Sequence, residues 1–319
     1  MYGVENFSLW CDFVERDFLK SEFVELLDKE VFNGATSNPA IFKSAFLTSP
    51  AYQNDRVKLK GLNSKEVYEK LAVEDIKRAA DAMIDLYKNG NDGFISIEVD
   101  PTLCDDAKGT IKEGKRLFKD IGKENVMIKV PATKAGYIAM EELMRCGINV
   151  NATLVFSPDQ AKGCMEAFKK ANNIEPKGVV SVFVSRFDSK LDKQIDSFGM
   201  DTAKIGIYNA TKIYELIESY NLPNVRTLFA STGVKSEDLE TDYYIKELLF
   251  KNVVNTAPLG TIKAFINSKV IEKKLTKDYI DYFEKLEQHG IDMQQVYEEL
   301  LIDGLESFKD AFAQILKEL

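Results

Sequence analysis

Among the 319 residues of this chain, Lys129 has the setting that most suggests chemistry. It lies in Asn125-Val126-Met127-Ile128-Lys129-Val130-Pro131, an apolar run of strand character with no sequence neighbour to neutralise its charge. Lysine is seldom fully buried unless paired. Desolvation favours its neutral form, and a neutral amine attacks a carbonyl carbon. On spacing alone two readings stand: a Schiff-base nucleophile, or a lysine that pairs with a carboxylate or snorkels out at the strand end. Its company tips the balance towards the nucleophile. Ser96 and Glu98 are two apart on the preceding strand-like run, and Asn151 and Thr153 are two apart on the next. Alternation along a strand sends each pair to one face. Such pairs suit a solvated cleft better than an apolar helix-facing side, although satisfied polar groups inside the fold are a second account of any one of them.

The same ends of the other runs are also polar. Asp12 closes the first run, and Thr36-Ser37-Asn38-Pro39 leaves the second. Ser181 and Arg186 lie on and just after the sixth, and Ser231 and Lys235 follow the seventh. Other chemistries lack their parts. There is one histidine, His289, so a multi-histidine zinc site is ruled out and a histidine-based triad would depend on that residue. It precedes Gly290 and reads as a helix C-cap. The four cysteines, Cys11, Cys104, Cys146 and Cys164, include no CxxC pair, which fits a reduced, cytoplasmic protein. Cys11 adjoins nothing basic and reads as a small buried hydrophobe. Proton transfer therefore falls to carboxylates, lysine, tyrosine or water.

These residues must be positioned by eight strand-like runs: Ser8–Phe13, Phe32–Thr36, Phe94–Val99, Val126–Val130, Asn149–Val155, Val179–Val184, Thr227–Ala230 and Val253–Asn255. Amphipathic helical stretches fill the gaps. Leu71, Ile76, Ala79, Ala80, Met83, Ile84 and Tyr87 keep the spacing of one buried helix face. Ser157-Pro158-Asp159-Gln160 is a capping box with proline at the first helical position. Alternating strands and helices imply a parallel sheet, and eight repeats imply an α/β fold, a single (β/α)₈ TIM barrel spanning 1–319. No GxGxxG follows a strand, which weighs against a doubly wound sheet. Three helical segments from about Lys277 to Leu319 read as extra C-terminal helices packed on the barrel. The 42 basic and 51 acidic side chains give a net charge of −9, against broad nucleic-acid binding. No run of 18 apolar residues and no basic, apolar leader occurs, against membrane spanning or secretion.

The segments SLWCDF, NGATSNPAIF, ISIEVDP, VMIKVPAT, INVNATLVFS, SVFVSRFD, LFASTGVK and NTAPLGTI resemble the transaldolase family, in order and over nearly the whole chain. The stretch EQHGIDMQQVYEELLIDGLESFKDAF is similar to that family's closing helices. The resemblance implies a class I aldolase-type transferase of the pentose phosphate pathway, without metal or organic cofactor. Such an enzyme moves a dihydroxyacetone unit from sedoheptulose 7-phosphate to glyceraldehyde 3-phosphate, giving erythrose 4-phosphate and fructose 6-phosphate. Its partners are small sugar phosphates, with neither nucleic acid nor membrane, and a homo-oligomer remains open.

By the same resemblance Lys129 matches the Schiff-base lysine and Asp12 the acid/base aspartate. Glu98 and Thr153, with a water, match the relay that forms and hydrolyses the imine. Asn38 and Asn151 match the holders of donor hydroxyls, supported by Thr36 and Ser96. Phosphate binding falls to Arg186, Ser181 and Ser231, and Phe183 matches an aromatic near the acceptor channel. Many members carry an arginine two residues after the serine of the seventh strand. This chain has Gly233 there, and Lys235 is the expected replacement.

Overall fold

The computed structural model describes residues 2–269 and 271–319. Its centre is a closed barrel of parallel strands in sequential order: β1 (Ser8–Cys11), β2 (Gly34–Thr36), β3 (Ile95–Glu98), β4 (Val126–Pro131), β5 (Asn149–Val155), β6 (Gly178–Phe183), β7 (Val225–Ala230) and β8 (Val253–Ala257). All eight expected strands are present, with ends displaced by at most two residues. The apolar face of each strand supplies the reason. Leu9, Cys11, Ala35, Ile95, Ile97, Val126, Ile128, Val180 and Val182 pack outward into one cluster with the surrounding helices. Trp10, Met127, Val179, Phe183, Leu228 and Val254 belong to a second cluster that fills the interior. Strand alternation therefore decides which polar residues enter the barrel.

The two ends of the barrel differ. At the N-terminal end Arg226 closes the floor, donating to Asp92 Oδ1 at 2.8 Å, Ser8 Oγ at 3.0 Å and the carbonyls of Asn6 and Val253. Trp10 lies above it and requires glycine at 34, where a Cβ would stand 2.4 Å from the indole nitrogen. The polar strand ends gather at the opposite mouth, where barrels of this kind place their chemistry.

Local signals set the helices. Ser157 and Gln160 form the expected capping box at the start of Pro158–Ala171. His289 caps Asp278–Gln288, its ring stacked on Phe198 with centroids 4.4 Å apart, and Gly290 follows with φ +81°. Two sequence expectations need correction. The face from Leu71 to Tyr87 is not one helix: Ser64–Ala82 ends at Met83, Ile84–Lys88 follows, and Ile84 and Tyr87 are only partly buried. The C-terminal region holds two helices rather than three, because Met293–Glu318 continues unbroken through Gly304. Among the described residues no helix is long and apolar enough to cross a membrane.

Asp188, on helix Ser185–Ser197, ties outer segments together by accepting from the Gly206 amide at 3.0 Å and the Tyr244 hydroxyl at 2.7 Å. Burial pushes its carboxyl up to about 7, against those two hydrogen bonds and the Lys204 charge, while Asp192 adds to the rise. A carboxyl raised in the folded state contributes stability that is complete below about pH 4 and lost as pH rises through about 7. Asp188→Asn should therefore lower the melting temperature more at pH 5 than at pH 8. Thermal melts of both proteins at those two pH values measure the gap, and a gap that widens with rising pH contradicts this account.

Candidate active site

Lys129 points into the mouth from β4, flanked in register by Glu98 of β3 and Asn151 of β5. Lys129 and Glu98 are each 6% exposed. Lys129 Nζ stands 3.8 Å from Glu98 Oε2, a charge contact too long for a hydrogen bond, and donates to the Ser37 carbonyl at 3.1 Å. Burial pushes the Glu98 carboxyl up to about 7, with the Lys129 charge opposing the rise and Asp12 adding to it. Near neutral pH such a group both gives and takes a proton. Thr153 is fully buried on the next inward position of β5. Its Oγ1 and Glu98 Oε2 have no hydrogen-bond partner among the described residues, so both are available to a third party in the site.

Across the mouth, Asp12 directly follows β1, its amide held by the Ala257 carbonyl at 2.8 Å. Asp12 Oδ1 accepts from Thr36 Oγ1 at 2.6 Å, and that hydroxyl lies 2.7 Å from Thr256 Oγ1. Burial pushes the Asp12 carboxyl up, while the Lys129 charge and the Thr36 hydroxyl favour its ionised form. Two carboxyls thus face one lysine from different strands.

A second polar chain crosses β3, β5 and β6. Ser181 Oγ donates to Asn151 Oδ1 at 2.6 Å, and Asn151 Nδ2 donates to Ser96 Oγ at 3.0 Å. Asn151 is fully buried, so both ends of its amide are fixed and its orientation with them. Asn38 accepts from the Ile41 amide at 3.0 Å as the N-cap of Pro39–Thr48, which leaves its amide nitrogen free of that bond.

The basic group forms a separate edge. Arg186 is the second residue of the helix after β6, its guanidinium carbon 5.4 Å from the centre of the Phe183 ring, and Phe183 packs on Phe156. Burial pulls the Arg186 pKa down and the Asp303 charge raises it, while Lys235 is lowered first by burial and then by the Arg186 charge. Two cations within each other's field form an anion-attracting edge. Ser231 lies there in a left-handed conformation with φ +56°, its Oγ 3.0 Å from Ser185 Oγ. A Cβ at Gly233 would stand 3.0 Å from Pro258 Cγ, so a side chain at this position would press on the proline.

The structure brings Lys129, Glu98, Thr153, Asp12, Thr36, Ser96 and Asn151 to one mouth and sets Arg186 beside Phe183 and Lys235. The Ser181 proton is given to Asn151, so this serine joins the asparagine chain. Sequence reasoning missed Thr256, Ser185 and the Ser37 carbonyl. Thr256 keeps the inward parity of Val254 and lies on β8 just beyond the expected strand end at Asn255. It also missed Phe308 of the C-terminal helix, whose ring centre is 5.8 Å from Lys129 Nζ. No local pattern marks such a contact.

A family model described as Transaldolase/Fructose-6-phosphate aldolase matches residues 9–319. A curated protein named Transaldolase from Campylobacter jejuni subsp. doylei is 49% identical, the alignment covering 99% of this chain and 100% of that protein. One of the same name from Helicobacter pylori is 45% identical, covering 98% of this chain and 99% of that one.

Proposed function

The chain belongs to the transaldolase/fructose-6-phosphate aldolase family, and from that premise we propose that it is a transaldolase working through an imine on Lys129. The observation that carries this reading is the buried lysine set between Glu98 and Asn151, with Asp12 facing it across the mouth. Neutral Lys129 Nζ adds to the C2 carbonyl of a ketose phosphate such as sedoheptulose 7-phosphate or fructose 6-phosphate. Glu98, with Thr153 and a water, gives a proton to the departing C2 oxygen, and water leaves as the iminium forms. Asp12 takes the C4 hydroxyl proton. The C3–C4 bond breaks, its electrons pass to the iminium nitrogen as an enamine, and the aldose phosphate departs. The enamine then adds to the acceptor aldehyde, Asp12 returns the proton, and water delivered through Glu98 and Thr153 releases the new ketose.

Asn38 and Asn151 hold the hydroxyls of the three-carbon unit, with Thr36 and Ser96 behind them. Ser181 acts through Asn151. Arg186, Ser231 and Lys235 take the phosphate, and Phe183 seats the Arg186 guanidinium. The electron pair and every proton are handled by these side chains and water, so the cycle needs neither metal nor organic cofactor. We read residues 1–319 as one barrel domain with its closing helices. The free cysteines, three of four buried, fit a cytoplasmic setting.

The direct test is incubation with fructose 6-phosphate, reduction with borohydride and peptide mass spectrometry. A dihydroxyacetone-sized adduct on Lys129 is expected, with fructose 6-phosphate and erythrose 4-phosphate interconverting in a coupled assay. Absence of an adduct, or an adduct on another lysine, overturns the reading. Release of free dihydroxyacetone at the rate of substrate loss, acceptor present, would make the protein an aldolase instead.

The phosphate edge gives a second expectation. A hydrogen bond to a charged group contributes about 1.5–3 kcal/mol, so Arg186→Ala should raise KM for glyceraldehyde 3-phosphate roughly 10- to 100-fold. Lys235→Ala should raise it less, because an ammonium gives a point charge without a fork. KM for unphosphorylated glyceraldehyde should barely move in either variant, and an equal rise for both acceptors would refute the assignment.

A further inference from the structure

Strand β5 is not regular at the residue that matters. Its pairing with β6 runs from Ala152 opposite Val180 to Val155 opposite Val182, so one extra residue is inserted between them. Within that insertion Leu154 has φ +57°, a left-handed conformation that is strained for a residue other than glycine. The bulge changes which way side chains face. In an unbroken strand Leu154 would follow Val150 and Ala152 outward. Instead Leu154 and Phe156 belong to the interior cluster, and Val155 packs outward. Thr153 and Leu154 thus both face inward, and Thr153 Oγ1 is left unpartnered.

Two clamps hold this conformation. From behind, the Gln160 amide donates to the carbonyls of Leu154 at 2.9 Å and Ala132 at 3.0 Å, while its oxygen accepts from the amides of Phe156 and Ser157. From the front, the C-terminal helix lies against the bulge at Gly304, where a Cβ would come 3.1 Å from Leu154 Cδ2 and 3.5 Å from Phe156. Four residues along, on the same helix face, Phe308 reaches towards Lys129.

Resting on the transaldolase reading above, we infer that the C-terminal helix is a positioning element for the proton relay. Through Gly304 against Leu154 it holds the bulge that aims the Thr153 hydroxyl at Lys129 and Glu98. It acts on formation and hydrolysis of the imine and leaves C3–C4 cleavage, which depends on Asp12 from β1, untouched. Gly304 is the positioning residue. Alanine there favours the helix itself, so a defect in Gly304→Ala is not a failure of the helix to form.

Quenched flow with fructose 6-phosphate, borohydride and mass spectrometry separates the steps. Appearance of any adduct on Lys129 reads imine formation, and conversion of the hexose-sized adduct to the dihydroxyacetone-sized one reads cleavage. Gly304→Ala is expected to slow the first about 10-fold or more, matching the pattern of Thr153→Val, with the second within about twofold of wild type. Should Gly304→Ala fail to fold, Leu154→Ala breaks the same contact without crowding and should give the same split. Equal slowing of both steps, or no change in either, overturns the inference. Wild-type protein run alongside separates the two failures: no Lys129 adduct there sinks the transaldolase reading, whereas normal wild-type kinetics with unsplit variants sinks only this one.

Discussion

Lys129→Met is expected to form no borohydride-reducible adduct with fructose 6-phosphate and to lose at least about 10⁴-fold in turnover. The size follows from what the lysine supplies. Without a covalent nitrogen, the C3–C4 bond has no electron sink, and neither Asp12 nor Glu98 can replace one. The variant should remain folded. Lys129 is buried, and methionine fills a similar volume without a charge. Its removal leaves Glu98 without the positive neighbour that opposes the rise in its pKa, so that carboxyl becomes more fully neutral and does not stand as an unpaired buried charge. A melting temperature within a few degrees of wild type, measured beside the rate, makes the loss chemical. Residual activity above about 1% of wild type, far outside the expected loss, would contradict the role given to Lys129.

Much of this arrangement was legible in the residues because a strand has a period of two. Once Lys129 is placed inward, Met127 must share its side and Ile128 and Val130 must not, and the two clusters divide that way. The same parity carries Ser96, Glu98, Asn151 and Ser181 into the mouth. Register between neighbouring strands is a tertiary quantity, however. That Glu98 pairs with Lys129, and Lys129 with Asn151, follows from the stagger of the closed barrel rather than from either segment. The bulge at Leu154 breaks the period itself, and INVNATLVFS carries no glycine to announce a left-handed residue. Phe308 was invisible for another reason. Helical periodicity marks it as buried, but only the docking of Met293–Glu318 across the mouth says what it is buried against. Sequence patterns thus reported which face each residue occupies. They did not report which residues meet across elements.

That distinction sharpens the expectation for Asp12→Asn, which should cut turnover about 10²–10⁴-fold, the range for losing a positioned acid–base group. Asparagine keeps an oxygen able to accept from Thr36, so the link from Asp12 through Thr36 to Thr256 survives and the β1 end keeps its place. What disappears is the capacity to take a proton. Because the imine relay runs through Glu98 and Thr153 and not through Asp12, imine formation should proceed while C3–C4 cleavage stalls. Rapid reduction should then catch the whole hexose phosphate on Lys129, where wild type yields the three-carbon fragment. Loss of the negative charge near Lys129 also removes one cause of the raised Glu98 pKa, so any pH limb governed by Glu98 should move to lower pH. Glu98→Gln should behave in the opposite sense, delaying the first appearance of adduct and leaving its cleavage fast. If Asp12→Asn instead shows slow adduct formation followed by normal cleavage, the two carboxylates have exchanged the roles assigned to them, and proton removal from C4 must start from the Glu98 side of the mouth.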